Sequence, residues 1–288
     1  MAPSILVGVD GSPGNERALD WAVDTALLRG RAVHLLHSCW VPMMEPVFLG
    51  REYLLRQSAA ILEQDALLRV RNRAPDLEVS TSLTYEPPAS ALVRASDDAE
   101  LLVVGMRGRG GFPGKRLGSV SYKVAAHAGC PVVVVGRAEP VPMDPPHIVV
   151  GLDDSPHGRA ALGAAFAEAR LRGGRLRAVY AMRMPTDSLT EVLQHSGYEW
   201  ERLRFEYQYQ AELLLAEWRD RYPDVAVTVG MRWDDATHAL TQDSMAAALL
   251  VVGARGRHAF VRWALGSVAH GVLNHSYAPV LVVHVPDT

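Results

Sequence analysis

The chain contains one sequence pattern twice, and this repeat constrains the fold more than any single motif does. Residues 5–30 align with residues 148–173 at a constant offset of 143. Residues 100–135 align with residues 248–283 at an offset of 148, so the second copy has the longer middle segment. A repeat of this length predicts two domains of similar structure, one after the other in the chain.

The repeat and the composition together predict the domain borders. The first domain is expected at residues 1–138, a linker at 139–146 and the second domain at 147–288. The linker lies in a proline-rich polar stretch, "RAEPVPMDPPH", which is typical of a semi-rigid connection. A chain of 288 residues with 49% hydrophobic and 21% charged residues is long and apolar enough for two globular cores.

Within each copy, short apolar strands alternate with segments that have helical periodicity. The first helix follows Ser12-Pro13, which suits a helix N-cap with proline at the first helical position. Such alternation predicts right-handed parallel crossovers, and therefore an α/β fold with two tandem open parallel five-stranded sheets and helices on both faces. Ligands of such sheets bind beyond the carboxyl ends of the strands. The predicted strands of the first copy are Ile5–Val9, Val33–His37, Val79–Thr84, Leu101–Gly105 and Val132–Val135.

The stretch "LLVVGMRGRGGFPGKRLGSV" resembles a phosphate-binding loop but fits neither common glycine pattern. A Walker motif requires Ser or Thr after Gly114-Lys115, where the chain has Arg116, and the third glycine of a dinucleotide motif is replaced by Pro113. The two copies share the spacing G-x2-G-x9-G-S instead. It is formed by Gly105, Gly108, Gly118 and Ser119 in the first copy and by Gly253, Gly256, Gly266 and Ser267 in the second.

Each part of the shared spacing has a physical interpretation. Gly105 is expected where the chain turns after a strand, and Gly108 where the backbone approaches a ligand. Gly118-Ser119 is expected to open a helix, whose N–H groups, dipole and serine hydroxyl favour an anion. Arg107 and Arg255 add positive charge. Two simpler interpretations stay open: the glycines as ordinary turns, and Asp10 and Asp153 as helix caps.

This spacing, an early strand that ends in Asp before Ser and a helix, and the closing "CPVVVV" and "APVLVV" resemble the universal stress protein family in its tandem two-domain form. The resemblance implies a Rossmann-like fold and ATP binding in both copies, with Asp10 and Asp153 at the adenosine. Ser38 and Ala181 would meet the adenine. The residues implied around the phosphates are Gly105, Arg107, Gly108, Gly118, Ser119, Val120 and Ser121 in the first copy, and Gly253, Arg255, Gly256, Gly266, Ser267 and Val268 in the second. Ala269 stands where the first copy has Ser121, which leaves the second site one hydroxyl short.

The resemblance implies a regulatory nucleotide sensor in stress response or growth control. Two ATP molecules would bind per chain, with Mg²⁺ held through the phosphates, no metal held by the protein, no catalytic residue and little or no turnover. The alternative is a slow ATP hydrolase or nucleotidyl-transfer enzyme, for which Glu45 or Glu191 would supply a carboxylate; in a scaffold protein the glycines would be relics. A homodimer and an unidentified protein partner are expected, and the closing strands of the two copies are expected to pair.

Composition narrows the remaining partners. A net charge of −3 gives no basic footprint for nucleic acid, and no apolar run is long enough for a membrane span. Only Cys39 and Cys130 occur, which favours a reducing compartment, and the cytoplasm is expected. His127 and His275 recur on the last helix, where packing or a terminal hydrogen bond is the expected role. Five aromatic residues on the long helix of the second copy are expected in a core or an interface: Trp200, Phe205, Tyr207, Tyr209 and Trp218.

Overall fold

A computed structural model describes residues 3–40, 51–108, 116–136, 143–182, 197–256 and 264–285. The side chains of residues 51–58 and 197–200 are outside the description. The chain divides into two compact units. The elements of the first repeat, in chain order, are β1 (Ser4–Val9), α1 (Pro13–Arg29), β2 (Val33–Ser38), α2 (Arg51–Arg73), β3 (Val79–Thr84), α3 (Pro88–Ala95), β4 (Ala99–Gly105), α4 (Ser119–His127) and β5 (Val132–Val135).

The elements of the second repeat follow in the same order. They are β6 (His147–Gly151), α5 (Pro156–Leu171), β7 (Arg175–Met182), α6 (Gly197–Arg221), β8 (Val227–Trp233), α7 (Ala236–Asp243), β9 (Leu249–Gly253), α8 (Ser267–His275) and β10 (Val280–Val283). The predicted alternation of strands and helices is therefore confirmed, and so is an α/β fold with mostly parallel open sheets. The predicted borders of the two sequence domains stay a prediction.

The first unit has the strand order β3-β2-β1-β4-β5-β10. The first five strands run parallel, and β10 joins the unit from the end of the chain as an antiparallel neighbour of β5. In that pair Val280 lies opposite Val134, and Val282 lies opposite Val132. The predicted pairing of the two closing strands is confirmed. The strand order places the carboxyl ends of β1 and β4 side by side, where a doubly wound sheet binds ligands.

The second unit contains the parallel strand order β9-β6-β7-β8. It places the carboxyl ends of β6 and β9 side by side, as β1 and β4 are in the first unit. All four residues of Val132–Val135 in β5 and of Val280–Val283 in β10 are buried, as are the central residues of β4 and β9. Such continuous apolar strands are typical of parallel sheets that are covered on both faces.

The helix that follows the first strand starts in the same way in both repeats. Ser12 is the N-cap of α1 and accepts a hydrogen bond from the backbone N–H of Asn15 at 3.3 Å. Ser155 caps α5 and accepts from the backbone N–H of Gly158 at 3.1 Å. Proline occupies the first helical position in both, where its missing N–H costs nothing. The predicted capping chemistry is confirmed, and it fixes the direction in which the chain leaves the sheet.

The aromatic residues of α6 do not share one environment. Trp218 stacks on Phe166 with ring centroids 6.2 Å apart, so it belongs to the core of the second unit. Tyr207 lies against Tyr180 at 5.7 Å and Trp233 at 6.2 Å. Phe205 and Tyr209 point outward and are mostly exposed. Trp200 lies where side chains are not described. The expected aromatic core is therefore formed by only part of the stripe.

The cysteines and the recurrent histidines have no role in catalysis or metal binding that the structure brings out. Cys39 and Cys130 are buried and form no disulfide. Burial raises the pKa of the Cys130 thiol to about 12, so this group stays protonated. His275 shares a hydrogen bond through Nδ1 with the Gly271 carbonyl oxygen, which is the terminal contact expected for it. Among the described residues no helix has the length and apolar character needed to cross a membrane.

A carboxylate at the start of β4 links the sheet to the end of α1. Glu100 accepts hydrogen bonds from Arg29 Nη1, at 2.6 Å, and from Arg31 Nε. Burial raises the pKa of the Glu100 carboxyl, but the hydrogen bonds and charges of Arg31 and Arg29 outweigh burial and hold this pKa below its usual value. A lowered folded-state pKa means that the ion pair stabilises the fold above the unfolded-state pKa, about 4.3, and stops doing so as pH falls through the folded value.

We expect Glu100→Gln to lower the free energy of unfolding at pH 7 by about 1 kcal/mol, because two charge-assisted hydrogen bonds are weakened. The difference from the parent should shrink as pH falls below about 4, since the parent then loses the same charge. Urea unfolding at several pH values measures both effects. Glu78→Gln is the matched control, because Glu78 is exposed and forms no ion pair with any described residue. An equal effect of the two substitutions would contradict the prediction.

Candidate functional site

A cavity of about 440 Å³ opens at the carboxyl ends of β1, β2 and β4 in the first unit. Its volume lies in the range of small-molecule sites, roughly 300–1,000 Å³. Every site residue predicted for the first copy lines it: Asp10, Ser38, Gly105, Arg107, Gly108, Gly118, Ser119, Val120 and Ser121. These residues span more than 100 positions of sequence, and the strand order brings them together.

The turn after β1 holds Asp10 in place through a small hydrogen-bond network. Asp10 Oδ1 accepts from the backbone N–H of Ser12 at 3.0 Å. Asn15 Oδ1 accepts from the backbone N–H groups of Asp10 and Gly11, at 3.3 and 3.4 Å, and Asn15 Nδ2 donates to the Gly8 carbonyl oxygen at 2.6 Å. Gly11 has φ of 68°, a left-handed conformation that suits glycine. The turn is therefore rigid, and its carboxylate faces the cavity.

The glycines after β4 have reasons different from those expected. A Cβ on Gly105 would come within 2.8 Å of the Gly14 backbone, so this glycine permits close contact between β4 and the first turn of α1. A Cβ on Gly108 would overlap the carboxylate oxygen Oδ2 of Asp10. The expectation of a turn at Gly105 is therefore wrong in its cause, because φ of Gly105 is not positive. Gly108 leaves space for Asp10.

The helix α4 begins at the cavity. Gly118, with φ of −75° and ψ of 154°, is its N-cap, and no side chain forms a cap hydrogen bond. The first turn, with Ser119, Val120 and Ser121, therefore presents N–H groups without a side-chain cap beside the cavity. A Cβ on Gly118 would face the Met106 carbonyl oxygen at 3.2 Å, so Gly118 faces the chain after β4, and the expectation that it faces only a ligand is wrong.

Ser121 differs from the expectation in a second respect. Its hydroxyl donates to the Gly105 carbonyl oxygen at 2.7 Å, and the residue is buried. This hydroxyl therefore joins α4 to the end of β4. The substitution to Ala269 in the second repeat removes that link as well as a polar group at the cavity.

Three polar or aromatic residues that line the first cavity were not among the predicted site residues. They are Asn15, His37 and Trp40. His37 shares a hydrogen bond through Nδ1 with the Val9 carbonyl oxygen at 2.6 Å, which fixes its ring against β1. An asparagine in the first turn of a helix is a signal for local hydrogen bonding and could have identified Asn15. His37 and Trp40 follow a strand whose edge position sequence does not reveal.

The second unit has a corresponding cavity of about 260 Å³ at the carboxyl ends of β6, β7 and β9. All the site residues predicted for the second copy line it: Asp153, Ala181, Gly253, Arg255, Gly256, Gly266, Ser267 and Val268. Gly253 and Gly256 repeat the contacts of Gly105 and Gly108, because their Cβ atoms would lie 2.8 Å from the His157 backbone and 3.0 Å from Asp153 Oδ2. Gly266 is the N-cap of α8, again without a side-chain cap.

The turn after β6 is built differently from the turn after β1. Ser155 donates through Oγ to Asp153 Oδ2 at 2.9 Å and through its backbone N–H to Oδ1 at 3.3 Å. The positions of Gly11 and Asn15 are occupied by Asp154 and Gly158, so the asparagine network is absent from this turn. A Cβ on Gly158 would overlap the Asp153 carbonyl oxygen, which shows that the turn lies closer to its helix. This arrangement accompanies the smaller cavity.

The chemistry of both cavities is that of an anion site with one carboxylate. Each has an uncapped helix start, glycine backbone and one arginine, Arg107 or Arg255, on one side. Asp10 or Asp153 is the single acidic residue among the described lining residues. Nowhere in the described ranges do three or more His, Cys, Asp or Glu residues come together to hold a metal ion.

Comparison with known proteins places this geometry in a family. The model of the universal stress protein family matches residues 1–136 and again residues 146–284. Universal stress protein Rv2005c of Mycobacterium tuberculosis is 36% identical over 295 residues, with 96% of each chain covered. Universal stress protein Rv1996 of the same organism is 32% identical over 303 residues, with 98% of this chain and 95% of the relative covered. The chain belongs to the universal stress protein family.

A solved structure gives the same answer for the fold. The crystal structure of a universal stress protein from Archaeoglobus fulgidus superposes with a TM-score of 0.72 and covers 100% of this chain and 98% of its own. Its identity is 18%, so it supports the fold alone. The resemblance inferred from the glycine spacing is thereby confirmed, and the chain is a universal stress protein with two copies of the family domain.

The two glycines after β4 give a prediction about stability. We expect Gly105→Ala to lower the free energy of unfolding by about 1–3 kcal/mol, because its Cβ would press on the rigid backbone of α1. Gly108→Ala should change it by only about 0.5 kcal/mol, since its Cβ meets a side-chain end that can rotate away. Urea unfolding of both variants measures the difference. A larger loss for Gly108→Ala would contradict the assigned contacts.

Proposed function

We propose that this universal stress protein binds one ATP molecule in each unit and acts as a regulatory nucleotide sensor in stress response or growth control. The observation that carries the proposal is the convergence of the conserved-spacing residues of each copy on one cavity, where an uncapped helix begins. Such a helix start favours phosphate through its N–H groups and its dipole.

The two ends of each cavity suit the two ends of a nucleotide. The carboxylate of Asp10 or Asp153 is an acceptor for ribose hydroxyl groups, which donate hydrogen bonds. Beside β2 or β7, the cavity walls carry Ser38 in the first unit and Ala181 in the second, and we assign this side to the adenine. Arg107 and Arg255 balance phosphate charge. Mg²⁺ would be held through the phosphates, because one carboxylate per cavity is too few for a protein-held site.

The proposal includes little or no turnover. Phosphoryl transfer to water needs a positioned base or a water-orienting group as well as charge stabilisation. The described lining of each cavity has one carboxylate, and we assign it to the ribose. Groups that bind ground state and transition state alike lower the dissociation constant without accelerating the reaction. Glu45 and Glu191, which the hydrolase alternative would use, lie outside the described residues.

Assembly and compartment complete the proposal. Two chains would associate as a homodimer, and ATP occupancy would be read by a protein partner. The absence of a disulfide between the two buried cysteines fits a cytoplasmic site of action. Mass spectrometry of nucleotide released by denaturing the purified protein tests the identity of the ligand.

We expect the protein to bind two ATP molecules per chain, and a proline at the helix start to weaken one site at a time. Proline fits the first helical position after Gly118, whose ψ of 154° is extended, so Ser119→Pro removes one N–H donor without breaking the helix. A hydrogen bond to a charged group contributes about 1.5–3 kcal/mol, which corresponds to roughly 10- to 150-fold weaker binding at the first site. Ser267→Pro should weaken the second. Isothermal titration calorimetry measures both.

The matched controls are Ser119→Ala and Ser267→Ala, which remove the hydroxyl and keep the N–H. The proline variants should bind ATP more weakly than the alanine variants at the corresponding site. Equal affinities of the two would exclude the helix start from the binding of phosphate. No heat of ATP binding to the parent would overturn the proposed function itself.

We expect phosphate release in a single-turnover assay to be far slower than about 1 s⁻¹, the lower end of ordinary enzyme rates, because no positioned base faces the phosphates. The assay uses radiolabelled ATP with protein in excess. The double variant Ser119→Pro, Ser267→Pro separates turnover in the cavities from contamination. Release at about 1 s⁻¹ or faster that disappears in the double variant would favour an ATP hydrolase.

A further inference from the structure

A second cavity in the first unit lies between α1 and α2, beside the turn after β1. It measures about 390 Å³ and is separate from the ATP cavity, although Val9 and Asn15 border both. We refer to it as the α1–α2 groove. It contains none of the glycine-spacing residues, so nothing in the proposed ATP binding accounts for it.

The floor of the α1–α2 groove is apolar. Leu19 of α1 and Leu62 and Ala66 of α2 form it, and all three are buried. Ile61 forms part of the wall, and 60% of its surface is exposed. An exposed isoleucine beside a concave apolar floor provides hydrophobic surface that a ligand would remove from water.

The rim of the α1–α2 groove is acidic. Arg69 is held by Asp20, through two hydrogen bonds of 2.7 Å each, and by Glu16, through one of 3.1 Å. The hydrogen bond to Asp20 is the main cause that raises the pKa of Arg69, so this cation is fixed. Asp65 is exposed and forms no ion pair with any described residue. Three carboxylates therefore face one guanidinium, and the rim favours a cation.

The second repeat lacks this combination of charges. The position of Glu16 is occupied by Arg159, that of Asp65 by Leu213 and that of Arg69 by Glu217. A groove needed only to pack the two helices would not require the acidic residues at these positions. Their presence in one copy alone indicates a property specific to the first unit.

We propose that the α1–α2 groove binds a small aliphatic ammonium compound, with its carbon chain on Leu19, Leu62 and Ala66 and its ammonium group at Asp65. An anion would meet the acidic rim, and an uncharged chain would lose the attraction of that carboxylate. A bare metal ion would find an apolar floor that offers no ligands. A chain of about six carbons with one charged end fits both the volume and the chemistry.

The test is a titration of the full-length protein with hexylammonium, followed by NMR of isoleucine δ-methyl groups. The chain has three isoleucines: Ile61 at the groove, and Ile5 and Ile148 buried in β1 and β6. Hexylammonium should shift the Ile61 signal with saturation in the millimolar range and leave Ile148 unchanged. Hexanol should bind more weakly, and hexanoate should not shift Ile61.

Substitution of the rim separates the charge from the floor. Asp65→Asn should weaken hexylammonium binding about fivefold, the size of an exposed ion pair. The matched control Asp76→Asn removes an exposed carboxylate elsewhere in the first unit and should leave the affinity unchanged. No saturable shift of Ile61, equal shifts with hexanoate, or equal affinity of Asp65→Asn and the parent would each overturn the proposal. All samples are free of added nucleotide, so the outcome is independent of ATP binding.

Discussion

Contact between the end of the fourth strand and the first turn of the first helix is the constraint on which the rest of each unit depends. Gly105 and Gly253 have no space for a Cβ, because the helix backbone lies 2.8 Å from where that atom would be. The same contact is closed from the other side, since Ser12 and Ser155 donate through Oγ to the carbonyl oxygens of Arg107 and Arg255. Two loops distant in sequence are thereby held together, and the cavity between them is preformed.

The repeat preserves this frame and varies what is attached to it. In the first unit Asn15 ties the turn after β1 to its own strand, whereas in the second unit Ser155 holds the Asp153 carboxylate directly. The first cavity is lined by Asn15, His37 and Ser38, and the second is smaller and has Leu152 and Ala181 on its walls. Two cavities with one ancestral pattern therefore differ in polarity and in size, and the proposed sensor has two unequal sites.

Sequence predicted the order of elements, the pairing of β5 with β10 and the residues of both cavities, because hydrophobic period, caps and spacing are local signals that the repeat printed twice. It did not predict why the glycines are there. The conflict between a Cβ on Gly108 and the carboxylate of Asp10 joins residues 98 positions apart, and no local pattern encodes it. His37 and Trp40 were missed for the same reason, since their place at the cavity depends on the strand order.

The strand β10 gives the first unit an unusual history. Residues 280–283 pair with β5, yet they leave the ribosome after every strand of the second unit has been made. The valines of β5 are buried in the finished structure, so during synthesis their edge waits without its partner. Contacts this remote in sequence close slowly, which makes the nascent first unit dependent on protection until translation reaches β10. A chain interrupted in its last twenty residues would thus leave its earliest-made part incomplete.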